Sequence, residues 1–168
     1  GPVPPRLAPI FRDRDELPVS GDLGETLRAA LRESRALVVI CSPNSAQSKW
    51  VAEEIAAFKR MHGEHRIFAL IVDGVPKGTE RGAPERECFP APLRFRMGAD
   101  GVLSNIRTDP LAADIRSGND SWRLAYLKLV SGIAGVRLDD LIQRDAQRRQ
   151  RRLATIASAS LQVHGLQI

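Results

Sequence analysis

"ALVVICSPNSAQSKWVAEEIAAF", residues 36–58, decides the fold. Its opening, ALVVICS (36–42), is continuously apolar and rich in β-branched residues. That is the pattern of a parallel strand covered on both faces. Pro43 ends the strand, NSAQS reads as a loop, and Ser48 is placed to cap a helix. In that helix Val51, Ile55 and Phe58 mark one apolar stripe. Trp50 and Glu54, four residues apart, share a neighbouring face, and Gly63 should end the helix.

Further strands follow on both sides. RIFALIVDG (66–74) reads as a second buried strand closed by an Asp-Gly turn, and LAPIF (7–11) as a short one with Pro9 near its start. Between LAPIF and ALVVICS lies a charged loop, RDRDELPVSG (12–21). A helix then opens at Asp22, a good N-cap with Glu25 three residues on. Leu23, Leu27, Ala30, Leu31 and Ser34 give that helix one packing face. Strand, helix, strand, helix, strand predicts an α/β domain with parallel strands and helical crossovers. In such sheets functional groups gather at the carboxyl ends of the strands, here the loops after Phe11, Cys41 and Val72.

Past residue 74 the signals weaken. Residues 75–92 read as a long loop, LRFRM (93–97) as one more strand and 98–120 as irregular connection. SWRLAYLKLVSGIAGV (121–136) predicts a helix with Leu124, Leu127, Val130 and Ile133 facing inward. A break near Gly135 separates it from a second, basic helical piece, and LATIASASLQVHGLQI (153–168) reads as a tail or linker. The expected division is a domain over 1–136 and a basic helix with its tail over 137–168.

Composition narrows the function classes. With 43% hydrophobic and 27% charged residues, the chain has the balance of a folded domain. No run of eighteen apolar residues exists, so no membrane span is expected. Cys41 and Cys88 match no metal spacing and read as free thiols of a reducing, cytoplasmic compartment, with Cys41 an apolar filler. The net charge of +5 is concentrated in RDAQRRQRR (144–152), which reads as a solvated helix end. It holds no aromatic residue on which a base could stack, so nucleic acid is not the expected partner. GDLG (21–24) lacks the pattern and lysine of a phosphate loop. CSPNS (41–45) lacks the glycines of a nucleophile elbow. His62, His65 and His164 lack metal-ligand spacing and read as surface residues, so no metal is expected.

At IFRDRDELPVSGDLGETLRAALRESRALVVICSPNSAQSKWVAEEI (10–55) the chain resembles the Toll/interleukin-1 receptor (TIR) domain in its bacterial form. FRDRDELPVSGDL looks like that family's BB loop after its second strand, and LVVICSPNSAQSKWVAEEI like its third strand, serine-rich turn and tryptophan–glutamate pair. The resemblance runs over about residues 7–74, and ECFPAPLRF and LIQRDAQRRQRR are similar to bacterial TIR proteins that continue into further modules. It implies a flavodoxin-like three-layer sandwich with a parallel sheet. The family's first strand and helix do not precede PRLAPIF, so the expected domain is N-terminally incomplete.

The resemblance further implies cleavage of NAD+ at the nicotinamide–ribose bond, in a defence or signalling protein, with NAD+ as substrate and no cofactor required. The family's glutamate follows its tryptophan after three residues, which selects Glu54 over Glu53 as the catalytic carboxylate. Trp50 would wall the pocket, and Asp13, Ser42 and Ser48 are candidate contacts to NAD+. Other TIR domains are the expected partners through the loop Arg12 to Gly21, in a homo-oligomer or larger assembly. The alternative is a TIR module that self-associates as a scaffold and cleaves nothing.

Overall fold

The computed structural model describes residues 25–164. The strand expected at 7–11, the helix start at Asp22, Asp13 and the loop Arg12 to Gly21 lie outside the described residues. The chain runs α1 (Glu25–Glu33), β1 (Leu37–Cys41), α2 (Pro43–Gln47), α3 (Lys49–His62) and β2 (Ile67–Ile71). It continues through α4 (Ala91–Arg94), β3 (Phe95–Met97), β4 (Leu103–Arg107), β5 (Leu111–Asp114), α5 (Trp122–Ala134) and α6 (Leu138–His164).

β1, β2 and β5 form a three-stranded parallel sheet with β2 in the middle. Leu37 pairs with Ile67 and Cys41 with Ile71, and Phe68 pairs with Leu111 and Ile71 with Asp114. Every residue of β2 is buried, as its unbroken apolar run requires. Alternation then assigns the faces. Val39 and Cys41 from β1, with Ile67, Ala69 and Ile71 from β2, meet Leu27 and Leu31 of α1 and Ile55 and Phe58 of α3. On the opposite face Leu70 and Ala113 pack with Ala125, and Leu129 lies against them. Helices on both faces of a parallel sheet make a three-layer α/β arrangement of flavodoxin-like type.

Several elements depart from expectation for physical reasons. NSAQS is not a loop, because Pro43 occupies the first turn of α2 and Ser42 caps it. Val38 and Ile40 are 37% and 53% exposed, so β1 is covered on one face and largely open on the other. The 98–120 stretch is not irregular. It supplies β4, which pairs antiparallel with β3, and β5, the third parallel strand. LRFRM therefore contributes a hairpin strand outside the main sheet. In α5, Leu127 is buried, but Leu124, Val130 and Ile133 are only half-buried, and the seam on the sheet runs through Ala125 and Leu129. The expected tail is helical to His164.

The hairpin is tied to α3 by a lysine that a surface helix would expose. Lys59 is buried, and its Nζ donates to the Phe95 carbonyl at 2.9 Å and to Glu64 Oε1 at 3.1 Å. Glu64 also accepts from the Met97 amide at 2.8 Å. His62, expected at the surface, is half-buried. A ring nitrogen lies 3.0 Å from the Leu31 carbonyl, and the ring tilts against Phe58.

At Gly132 the backbone of α5 passes close to the sheet. A Cβ there would lie 2.4 Å from Cε1 of the buried Phe68 ring. Gly132→Ala is expected to destabilise the fold by about 1–3 kcal/mol, because α5 must lift or the ring must leave its rotamer. Urea unfolding checks this, and an unchanged midpoint contradicts the close approach.

Candidate functional site at the carboxyl edge of the sheet

The chain leaves the sheet at Cys41 and turns at once into α2 and α3, which carry most of the expected site. Ser42 begins α2 in a reciprocal capping box: its Oγ accepts from the Ser45 amide at 3.3 Å, and its own amide donates to Ser45 Oγ at 2.8 Å. Ser48 ends α2 and caps α3, its Oγ accepting from the Val51 amide at 3.4 Å. Both hydroxyls spend acceptor capacity on backbone amides. A hydroxyl so used still carries a proton to donate.

The apolar stripe of α3 is anchored as expected: Ile55 and Phe58 are fully buried and Val51 packs against the core. That anchoring fixes how the neighbouring face is presented. Trp50 is 56% exposed, leaving much of its indole surface available. Glu54, one turn on, is half-buried and engages a neighbouring group. Ser42, Ser48, Trp50 and Glu54 thus follow one another on the segment leaving the carboxyl end of β1. Asp13, the fifth expected residue, lies outside the described residues.

Sequence reasoning missed a polar network at the same edge. Asp114 ends β5 and accepts from Arg116 Nε at 2.9 Å and Nη2 at 2.5 Å. Arg116 Nη1 donates to the Gly74 carbonyl at 2.6 Å, joining the loops after β5 and β2. Asp120 accepts from the Asp114 amide at 3.0 Å and from Lys128 Nζ at 2.6 and 2.7 Å. Gly74 cannot carry a side chain here. Its φ is 90°, and a Cβ would lie 2.8 Å from the Arg86 carbonyl oxygen and from Cys88 Cβ. The one sequence signal was an Asp-x-Arg triplet after a short apolar run.

The Arg116 hydrogen bonds hold the Asp114 carboxyl below its ordinary value. A lowered native-state pKa contributes stability above the unfolded value, near pH 4. That contribution is lost as pH falls through the lowered native value. Asp114→Asn should therefore be less stable than the native chain at pH 7, with the difference vanishing in acid. Urea titrations at the two pH values check this, and a gap that persists in acid contradicts it.

Cys41 and Cys88 are free and fully buried in the main core. Burial, with repulsion from the neighbouring thiol, pushes Cys41 up to about 12. Burial, with the Glu87 carboxylate nearby, pushes Cys88 up to about 11. Both are protonated at neutral pH and unsuited to nucleophilic work. Among the described residues no group of three or more His, Cys, Asp or Glu could hold a metal ion. Among them, too, no helix is long and apolar enough to cross a membrane.

Comparison with known proteins bears on this arrangement. Over 153 residues the chain is 27% identical to a protein of Actinoplanes sp. named NAD(+) hydrolase ApTIR. The match takes in 89% of this chain and 21% of that protein, so the chain spans about a fifth of its relative's length. No solved structure matches the chain. The family model for the TIR domain matches residues 7–95, more than half of the chain, and the chain belongs to the TIR domain family.

Proposed function

We infer that the chain is an NAD+ glycohydrolase that cleaves the nicotinamide–ribose bond, with Glu54 as its catalytic carboxylate. The observation that carries this reading is Glu54 itself. It is half-buried, one helical turn from a largely exposed indole, at the carboxyl edge of a TIR-family sheet. The relative named as an NAD(+) hydrolase supports the choice of substrate.

The chemistry asks little of the protein. Nicotinamide leaves as a neutral base from a cationic ring, so no strong general acid is needed. Its departure leaves an oxocarbenium-like ribose. The Glu54 carboxylate stabilises that developing positive charge and accepts from ribose hydroxyls. The Trp50 indole forms an apolar wall beside it, excluding water and strengthening the electrostatic contact. Ser42 and Ser48 donate their hydroxyl protons to the substrate, and Asp13 contributes a further contact. Attack by water yields ADP-ribose, and internal attack by the adenine yields a cyclic form.

Self-association belongs to the same reading. The loop Arg12 to Gly21 of one copy meets the next copy, and activity rises when copies cluster in a cytoplasmic defence or signalling protein. The test is nicotinamide release from NAD+ by the purified chain across a range of protein concentrations. Release that rises more steeply than protein concentration supports the reading. Absence of release at every concentration, with self-association retained, leaves a TIR scaffold that cleaves nothing.

A further inference from the structure

A second concavity lies away from Glu54, and nothing in the preceding reading uses it. It has a volume of about 390 Å³ and is lined by Lys77, Arg94, Arg96 and Arg107, with Glu80 and Asp109 between them. Its wall joins Lys77 and Glu80, from the loop after β2, to Thr108, Asp109 and Pro110, which lead into Leu111 of β5; Trp50 and Glu54 are not among its lining residues.

Its cations are held in place and incompletely used. Arg94 and Arg107 both lie over the Phe95 ring, at 5.5 and 6.0 Å from its centroid. Arg94 Nη1 donates to Thr79 Oγ1 at 3.0 Å and lies 3.6 Å from the buried Glu87 carboxylate, while its Nε is buried with no hydrogen-bond partner. A buried donor left unpaired calls for a missing partner. Arg96 is exposed, and its charge acts on the nearby Glu64 carboxylate, which Lys59 already holds. Arg107 and Lys77 are occupied by carboxylates, Glu80 and Asp109, and Asp109 is itself largely exposed. These carboxylates stand where the oxygens of an anion could stand, and solvent is open to receive them. Lys77 holds its place at φ 59°, the one non-glycine residue with positive φ among the described residues. Such backbone strain concentrates at ligand clamps.

We propose that this depression is a binding site for a diphosphate-bearing anion. Forked guanidinium donors match phosphoryl oxygens bidentately. Several cations around one hollow suit two linked phosphoryl groups, with Arg96 engaging one while Arg107 and Lys77 exchange their carboxylates for the other. The site is independent of the NAD+ reading and stands or falls separately.

The experiment titrates the full chain with inorganic pyrophosphate, followed by phosphorus NMR, and with ADP in a parallel arm. Saturable binding is expected, weakened at least ~10-fold by Arg96→Ala. Arg148→Ala should leave it unchanged. Tighter binding of ADP identifies a nucleotide as the source of the diphosphate, and equal binding identifies the inorganic ion. Arg96 is exposed and interacts with Glu64 only through solvent-screened charge, so its removal should leave the unfolding midpoint nearly in place. Should it not, Arg107→Lys, which keeps the charge and loses the fork, is expected to weaken binding several-fold. Absence of saturable binding by either anion overturns the proposal. So does an equal loss from Arg96→Ala and Arg148→Ala, which is general attraction to a basic protein.

Discussion

Glu54→Gln is expected to lower the rate of nicotinamide release by roughly 10²–10³, about 3–4 kcal/mol of transition-state stabilisation. Glutamine keeps the size of the side chain and the half-buried position on α3 and removes only the negative charge. Charge is what an oxocarbenium-like ribose requires, so the loss should fall on the chemical step. Glu53 supplies the internal control. It is exposed on the same helix and one residue away, so Glu53→Gln should stay within about twofold of the native rate, since an exposed charge is screened by solvent. Equal losses from the two variants would mean that net charge, and not a placed carboxylate, drives the reaction.

Phe58→Ala should destabilise the fold by about 3–5 kcal/mol. Phe58 is among the largest fully buried side chains and sits in the core between α3, α1 and the sheet. Its ring also supports His62, which reaches the Leu31 carbonyl, so truncation opens a cavity and loosens the seat of α1. The consequence extends to the candidate site, since the same helix presents Trp50 and Glu54. Chemical denaturation measures the loss, and a change below about 1 kcal/mol would show that the core closes over the gap.

The contrast between these two residues shows what the chain makes legible and why. RIFALIVDG was readable because a central parallel strand needs an unbroken apolar run; ALVVICS carries the same run and pairs with it, although in β1 only Val39 and Cys41 are buried. Ser48 with Gly63, and Ser121 with Gly135, were readable as helix boundaries because capping is local chemistry. β5 was not. Its four residues, LAAD, are short and alanine-rich, and only Ala113 is buried, so neither propensity nor periodicity marks a strand. Pairing with β2 makes it one. α2 was misread because its Ser, Asn and Pro are turn residues, and the reciprocal Ser42–Ser45 box converts them into a helix start.

The candidate site divides in the same way. Trp50 and Glu54 are one turn apart, so spacing alone places them on one face. The Arg116 bond to the Gly74 carbonyl spans 42 residues, and the Lys59 bond to Phe95 spans 36. No local pattern announces a contact that exists only once the sheet has formed.

In the proposed reaction one carboxylate stabilises a sugar cation without being the main source of affinity for NAD+. Binding and turnover measured separately on Glu54→Gln test it most directly, using equilibrium binding of NAD+ and single-turnover release of nicotinamide at saturating protein. NAD+ affinity is expected within about tenfold of the native chain and release slowed by ~10² or more. Affinity lost while bound NAD+ still releases nicotinamide at the native rate would contradict it.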